Sequence, residues 1–417
     1  MTGVHAVRED PGQGSERPFL RQVRIRNYKS IETCEVALHP LTVLVGRNGA
    51  GKSNFLDALR FVTDSLETTL DHAMKSRGGI GSVRRKSQGH PRNFAIELEL
   101  SLPDWQRARY GFEIAAQSEG GFHVKRERLL IHDPRGELAH HYEIASGERI
   151  SASTEHFPPH IPDRLCLVAA SSLPEFRPVF DALTSMGFYN VNPDAMKQLQ
   201  SPDAGELLHR DGMNIASVIA RLKRDEPAAI ERLRSYLAAI VPGIADVDRV
   251  PLGPSETLEF RQEVKGAEEP WRFYAASMSD GTLHTLGILA AVIQRVKPKS
   301  PVRLVGVEEP ESALHPAAAG ALMDALSEAS AHTQVVVTSH SPDLLDQIAF
   351  DSLGVLVVVS NQGTSEIAPV DEAGRRAIQE HLFTLAELHR LDQLVPDPTD
   401  VQRQQQMQLF EADEDER

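Results

Sequence analysis

Cysteine is scarce, with Cys34 and Cys166 the two in 417 residues. Two thiols build neither a disulfide framework nor a cysteine-rich metal site, and their scarcity fits a reducing compartment. Positive charge is in deficit: 44 Lys and Arg stand against 59 Asp and Glu, a net charge of −15 with histidine neutral. A strongly basic nucleic-acid coat is thereby excluded, although local basic patches are not. No run approaches the roughly 18 apolar residues of a membrane-spanning helix. The polar opening, Met1 to Pro18 with Glu9, Asp10 and Glu16, lacks the apolar stretch of a signal peptide. There is no internal repeat. No heptad pattern persists over three or four repeats, which argues against a long coiled coil. The chain reads as soluble and cytoplasmic, without a membrane partner.

Apolar residues make up 41% of the chain, enough to bury a core, and the length allows one large domain or two to three ordinary ones. Residues 1–18 carry Gly, Pro and charge without periodicity and read as a disordered leader. Phe19 to Ile31 reads as a strand entering a turn. Leu41 to Val45 is a short apolar run of the kind buried in a parallel sheet. After a glycine-rich turn, Phe55, Leu59, Val62 and Leu66 recur at helical spacing. Arg77 to Lys86 reads as a flexible basic loop. Phe94, Ile96, Leu98 and Leu100 alternate with Ala95, Glu97 and Glu99, the period of a half-buried strand, and weaker strand patterns follow. Residues of about 90–150 thus form an antiparallel β-lobe. About 174–243 reads as a helical lobe, with Ile230, Leu233, Leu237 and Ile240 on one stripe. Apolar strands then alternate with helices: Val302 to Val307, Gln334 to Thr338, Gly354 to Val359. That alternation implies an α/β fold with a mixed or parallel core sheet. Residues 396–417, with Gln404 to Gln406 and an acidic end, read as a disordered tail.

Gly46-Arg47-Asn48-Gly49-Ala50-Gly51-Lys52-Ser53 fits G-x-x-x-x-G-K-[ST] between an apolar strand and an amphipathic helix. Glycines let backbone N–H groups turn inward onto phosphate oxygens. The helix beginning near Gly51 points its positive end at them. Lys52 neutralises the β- and γ-phosphates, and the Ser53 hydroxyl can ligate Mg²⁺. A second element is Leu304 to Glu311, where an apolar strand delivers Glu308 and Glu309 at its C-terminal end, the position of ligands in open α/β sheets. One carboxylate can hold Mg²⁺ and its neighbour can polarise a water for in-line attack.

With these residues the sequence resembles the ABC-type ATPases, in the branch of SMC, RecF and OLD-like proteins, and most of all their small members without a long coiled coil. Five segments carry the resemblance in the family's order. They are Arg24 to Ile31 as the first strand and turn, the phosphate loop ending Gly51-Lys52-Ser53-Asn54, and Ser277-Met278-Ser279-Asp280-Gly281-Thr282 as the signature motif. Val307 to Glu311 follows as the Walker B motif, then Thr338-Ser339-His340-Ser341-Pro342 as the switch-histidine loop. The resemblance implies that residues Gly46 to Asn54 bind ATP, that Ser53 and Glu308 serve Mg²⁺, and that Glu309 is the catalytic base. It implies that His340 hydrogen-bonds the γ-phosphate, and that Ser279 and Gly281 contact the ATP of a second subunit. It further implies one ATPase domain over residues 19–395, with both lobes inserted between the phosphate loop and the signature motif.

The sequence departs from the family in places. Glu308 stands where Walker B usually has Asp, and His315 where transporters commonly carry Asp. The glutamine of the Q-loop is not evident, with Gln88 its nearest candidate. The implied activity is ATP hydrolysis by a nucleotide-gated homodimer in DNA repair or anti-phage defence. DNA would then stimulate turnover through the basic runs Arg84 to Lys86, Arg92, Arg107, Arg109, Lys125-Arg126 and Arg221 to Arg224. The alternative is a nucleotide-switched protein that holds or activates a separately encoded nuclease or toxin, since no acidic nuclease constellation follows His340. A transporter subunit fits least, because the signature departs from the Leu-Ser-Gly-Gly-Gln form.

Overall fold

All five residues of Leu41–Val45 are buried, a pattern that suits only a strand covered on both faces. The computed structural model describes residues 18–87, 91–117, 121–294, 302–350, 354–407 and 409–410. Its strands are β1 (Leu20–Tyr28), β2 (Ile31–Ala37), β3 (Leu41–Val45), β4 (Asn93–Ser101), β5 (Arg107–Ala116), β6 (Phe122–His132), β7 (Leu138–Ala145), β8 (Glu148–Ala152), β9 (Met186–Tyr189), β10 (Ile244–Leu252), β11 (Ser255–Gln262), β12 (Trp271–Tyr274), β13 (Leu304–Glu308), β14 (Gln334–Ser339), β15 (Gly354–Asn361) and β16 (Thr364–Pro369). Thirteen of them form one sheet in the order β8-β7-β6-β5-β4-β1-β2-β16-β15-β3-β14-β13-β9. From β15 to β9 the pairs are parallel. From β2 to β8 they are antiparallel. The antiparallel strands therefore continue the core sheet. Strands β10, β11 and β12 form a second, small sheet.

The alternation of side chains along the parallel strands divides the interior. Leu44, Leu304, Val336 and Leu356 face the phosphate-loop helix Lys52–Glu67, packing with Phe55, Leu59 and Val62. Val43, Val305, Val307, Val335, Val337, Val355 and Val357 turn to the other face and pack with Leu283, Leu286 and Leu289 of helix Asp280–Ile293. The phosphate-loop helix and the signature helix thus lie on opposite faces of the same four strands, because successive strand residues point to opposite sides.

Three regions differ from the sequence reading. The supposed flexible basic loop holds a short helix, Ile80–Val83, and the Arg77 side chain is buried against Asp57 at 3.0 Å and Asp64 at 2.8 Å. Within the helical lobe, Met186–Tyr189 is a strand, parallel to β13 at the sheet edge; four residues including a glycine are too few to show a period. The supposed disordered tail is structured where it is described. Pro398–Gln405 is a helix whose first turn is capped by Asp397, accepting from Thr399 N at 2.9 Å. Gln404 is buried and donates to Glu35 O at 3.0 Å and Ile367 O at 2.9 Å. Phe410 is buried beside the Arg126 and Arg128 guanidinium groups, 4.9 and 5.6 Å from its ring centroid. Polar composition misleads here because the amide of Gln404 is used to satisfy buried carbonyls. Residues 411–417, the leader 1–17 and the Q-loop candidate Gln88 lie outside the described residues.

Candidate functional site

Strand β3 ends at Val45 and the chain enters a loop whose glycines are required by space and by dihedral angle. A Cβ on Gly46 would stand 2.1 Å from Val358 O. Gly51 has φ +108°, and a Cβ there would stand 1.9 Å from Ser365 Oγ. Gly49 has φ +80° with open space where a Cβ would be, so its backbone is left accessible. The loop is held from both ends of the chain: Ser365 Oγ donates to Ala50 O at 2.6 Å and pairs with Ser30 Oγ at 2.6 Å. Asn54 Nδ2 in turn donates to Ser30 Oγ at 2.7 Å. Arg47, Asn48 and Ser53 are exposed, and Arg47 meets Asp392 at 3.3 Å. Lys52 is buried, and its Nζ donates to Gly46 O at 2.7 Å and Arg47 O at 3.2 Å. Burial lowers the pKa of its ammonium, against the raising influence of the Glu309 and Glu311 carboxylates. Those acids are therefore within electrostatic reach of the lysine.

Strand β13, two places from β3 in the sheet, ends at Glu308, with β14 between them. Glu308 meets Arg210 at 4.0 Å. Ser53 and Glu308 line one cavity of about 310 Å³, together with Lys29, Asp57, Arg77 and Arg210. Glu309 takes φ +45°, uncommon for a side chain of this size. Its N–H donates to Thr338 O at 3.0 Å and lies 3.2 Å from Thr338 Oγ1, which anchors the turn to β14. His340, the first residue after β14, places Nδ1 3.1 Å from Glu309 Oε1. The structure thus brings the phosphate loop, both Walker B carboxylates and the switch histidine to the C-terminal ends of three adjacent strands.

Ser279 and Gly281 are not part of that gathering. Ser279 is the N-cap of helix Asp280–Ile293, its Oγ accepting from Thr282 N at 3.2 Å, and that helix lies on the sheet face away from the phosphate-loop helix. A Cβ on Gly281 would stand 2.4 Å from Ala313 O, so the signature turn packs on the loop after Walker B. His315 caps the following turn, its Nδ1 accepting from Ala317 N at 3.2 Å.

Three further residues stand around the site that the sequence reading did not single out. Glu311 accepts from Ser339 Oγ at 2.6 Å, and burial raises its pKa. Among the described residues nothing donates to its buried Oε2. It could have been found, as the third carboxylate of the Walker B segment. Arg210 and His284 could not, since neither belongs to a spacing pattern. His284, nearly buried, lines a cavity of about 450 Å³ with Glu308, Glu309 and Ser312. Among the basic runs, Arg221 is corrected. It is buried and donates to Glu206 O at 2.7 Å, because its position on helix Ile215–Asp225 turns inward.

These residues fit a nucleoside triphosphate with Mg²⁺. The open Cβ position of Gly49 leaves its backbone free to be approached by a phosphate, and the Lys52 ammonium could supply the compensating charge. Among the described residues no group of three or more His, Cys, Asp or Glu could hold a metal. Mg²⁺ needs none, because it binds through one or two protein groups plus phosphate and water oxygens. Ser53 and Glu308, facing one cavity, are such a pair. Among the described residues no helix is long and apolar enough to cross a membrane.

Residues 209–346 match the family model described as "AAA domain, putative AbiEii toxin, Type IV TA system", and residues 19–99 match "AAA ATPase domain". The chain is 29% identical over 124 residues to the chromosome partition protein Smc of Mycoplasma pneumoniae, 29% of this chain and 10% of that protein. It is 33% identical over 92 residues to that of Mycoplasma genitalium, 21% of this chain and 9% of the relative. The matched stretch is thus about a tenth of those relatives. Among solved structures, an SMC head bound to the C-terminal winged-helix domain of ScpA aligns with TM-score 0.51 and 16% identity, over 86% of this chain and 100% of the other. An SMC head from Pyrococcus furiosus, with an extended coiled coil and bound to the C-terminal domain of ScpA, aligns with TM-score 0.52 and 12% identity, over 88% and 99%.

Proposed function

From the premise that the chain is, by fold and family-model matches, an SMC/RecF-like ABC-type ATPase, we propose that it hydrolyses ATP as a nucleotide-gated dimer. The observation that carries this reading is the convergence of Lys52, Glu308, Glu309 and His340 at the ends of β3, β14 and β13. Gly49 and Gly51 amides and the Lys52 ammonium would bind the β- and γ-phosphates. Ser53 and Glu308 would hold Mg²⁺, which supplies charge neutralisation on the phosphate oxygens. Glu309, fixed by Thr338 on an uncommon backbone angle, takes the proton of the attacking water. The water oxygen bonds to the γ-phosphorus as the bond to ADP breaks, and ADP and phosphate leave. His340, beside Glu309, would hydrogen-bond the transferring group.

The two faces of the sheet support the dimer. Ser279 and Gly281 head a helix on the face away from the Lys52 helix. In a dimer, a phosphate on one subunit's Lys52 would meet the signature turn of the second copy. ATP would close two such sites, and hydrolysis would reopen them, through contacts made in the closed state alone. The setting would be DNA repair or anti-phage defence; the partial matches to chromosome partition proteins and to a toxin–antitoxin family model are compatible with either. A second reading, a switch that holds or activates a separately encoded effector, is favoured by the pairing of Lys125 with Glu113 and of Arg126 with Glu143, which occupies one of the lobe's basic runs.

The test is Glu309→Gln, which keeps size and hydrogen bonding but cannot accept the proton. Turnover should fall by about 10²-fold or more, the usual scale for a lost general base, while saturating ATP holds the variant as a dimer. Unchanged turnover would remove Glu309 from the chemistry, and a monomer under saturating ATP would remove the two-copy site.

A further inference from the structure

Helix Pro398–Gln405 lies beyond both family-model matches, which end at residues 99 and 346, and it covers the narrowest join of the large sheet. Among the described residues, β2 and β16 pair through Ile31 and Ser365 alone. Past that pair the two strands are bridged by a side chain. Gln404 is buried, and its Nε2 donates to Glu35 O of β2 at 3.0 Å and to Ile367 O of β16 at 2.9 Å. A side-chain amide carries two N–H donors, and both are spent here. The segment that carries Gln404 is fixed at either end. Asp397 N donates to Pro369 O of β16 at 2.9 Å. Beyond the helix, Arg128 Nη1 of β6 donates to Phe410 O at 3.0 Å, and Leu409 and Phe410 are buried against Ala95 of β4. The segment therefore starts on β16, crosses the join at Gln404 and ends on the antiparallel strands.

The same join carries the phosphate loop. Ser365, two residues before Ile367, donates its N–H to Ser30 O at 2.9 Å and its hydroxyl to Ala50 O at 2.6 Å. With its one hydroxyl hydrogen used on Ala50, Ser365 Oγ can only accept from Ser30 Oγ, 2.6 Å away. Ser30 Oγ in turn accepts from Asn54 Nδ2 at 2.7 Å. The bonds thus run one way, from Asn54 through Ser30 and Ser365 to Ala50, and they close only while β2 and β16 stay together.

We propose that Gln404 is a positioning residue for the phosphate loop. By holding β2 on β16 it keeps Ser30 and Ser365 at the spacing that fixes Ala50 and Asn54. Coupling between two sites is reciprocal, so a nucleotide on the loop tightens the join and the segment that covers it. The inference deepens the nucleotide reading above and rests on it.

The experiment compares the full-length wild type with Gln404→Leu, which keeps the size but donates nothing. A third protein, Glu127→Gln, alters a buried residue of β6 away from the join. Labelled-ATP binding with Mg²⁺ is measured in each, together with hydrogen–deuterium exchange over residues 31–37, 364–369 and 398–407, with and without ATP. Affinity should fall about tenfold in Gln404→Leu, the scale of a site-to-site coupling, and stay near wild type in Glu127→Gln. ATP should slow exchange over all three segments of the wild type. Wild-type affinity in Gln404→Leu, or equal losses in both variants, would make Gln404 merely structural and overturn the proposal. So would a wild type that binds ATP with exchange over the three segments unchanged, a result that needs no variant to fold and leaves the nucleotide reading standing. A wild type that binds no labelled ATP would instead sink that reading and this inference together.

Discussion

In the antiparallel strands charge closes on itself. Arg24 pairs with Glu35 and Glu97, both at 2.8 Å. Glu113 gathers Asn93 at 2.8 Å, Lys125 at 3.2 Å and Arg26 at 3.5 Å, and Arg126 meets Glu143 at 2.5 Å. Deeper still, Glu127 is fully buried, accepting from Tyr110 and Tyr142 hydroxyls at 3.1 and 2.8 Å and from the backbone N–H groups of Cys166 and Leu167. At the ends of β3 and β13 charge is held differently. Lys52 is bonded to carbonyls of its own loop, and Glu308 meets Arg210 at 4.0 Å. In the first region the ions named have an ion or a set of donors as their close partners. In the second Lys52 is held by backbone and Glu308 by a distant guanidinium, which leaves their charge to be answered by a ligand.

The sharpest way to break this comparison is Lys52→Ala. It removes the one compact cation aimed at the phosphate positions, and ATP affinity should fall on the order of 10²-fold, the scale of losing a charge-paired contact. Labelled-ATP binding measures it, and wild-type affinity would make Lys52 an ordinary helix-start lysine.

Next in size is Glu127→Gln. The amide presents a donor where four donors already converge, so folding stability should drop by about 2–4 kcal/mol, read as a lower Tm with ATP binding retained. The same position gives a pH signature. Burial raises the Glu127 pKa above its usual 4.5. The folded protein therefore takes up this proton more readily than the unfolded one. The stabilisation from protonation is fully present below 4.5 and lost as pH rises through the raised folded value. The Tm advantage of the wild type over Glu127→Gln should accordingly be larger near pH 4.5 than at pH 7. A constant gap across that range would mean that burial does not raise the Glu127 pKa.

The smallest effect is expected from Lys125→Ala, whose cation is half-exposed and already answered by Glu113. Stability should move by less than about 0.5 kcal/mol, with ATP turnover unchanged with or without duplex DNA. A loss of DNA-stimulated turnover, together with a shallower salt dependence of DNA binding, would show that the lobe's charges face a nucleic acid after all.

How much of this was legible depends on how local each signal is. The phosphate loop could be read because its chemistry needs glycine, lysine and serine at fixed offsets within one turn. Buried β3 and the stripe of Phe55, Leu59 and Val62 were legible for the same reason: one strand or helix face is a short-range pattern. Strand β9 was not, since Met186–Tyr189 belongs to the sheet only through its pairing with β13. Arg210 reaches Glu308 from a loop without periodicity. Gln404 looked like part of a polar tail because composition cannot show that its amide fills two buried carbonyls. Helix Leu385–Arg390 has a local signal, since Thr384 and Glu387 spell a capping box; its bonds from Thr384 and Arg390 to Asp346 are encoded by no local pattern.

The serine clasp around the phosphate loop bears on the order in which the protein is made. Ala50 takes its hydrogen bond from Ser365, 315 residues away, and Ser365 meets Ser30 across 335 residues. Strand β3 lies between β14 and β15, both encoded in the last third of the chain. A ribosome that has finished the phosphate loop, its helix and the whole antiparallel lobe has therefore not yet supplied what closes the loop. Contacts of such sequence separation form late and slowly. A nucleotide held by this loop would stabilise only chains in which residues 30 and 365 have already met.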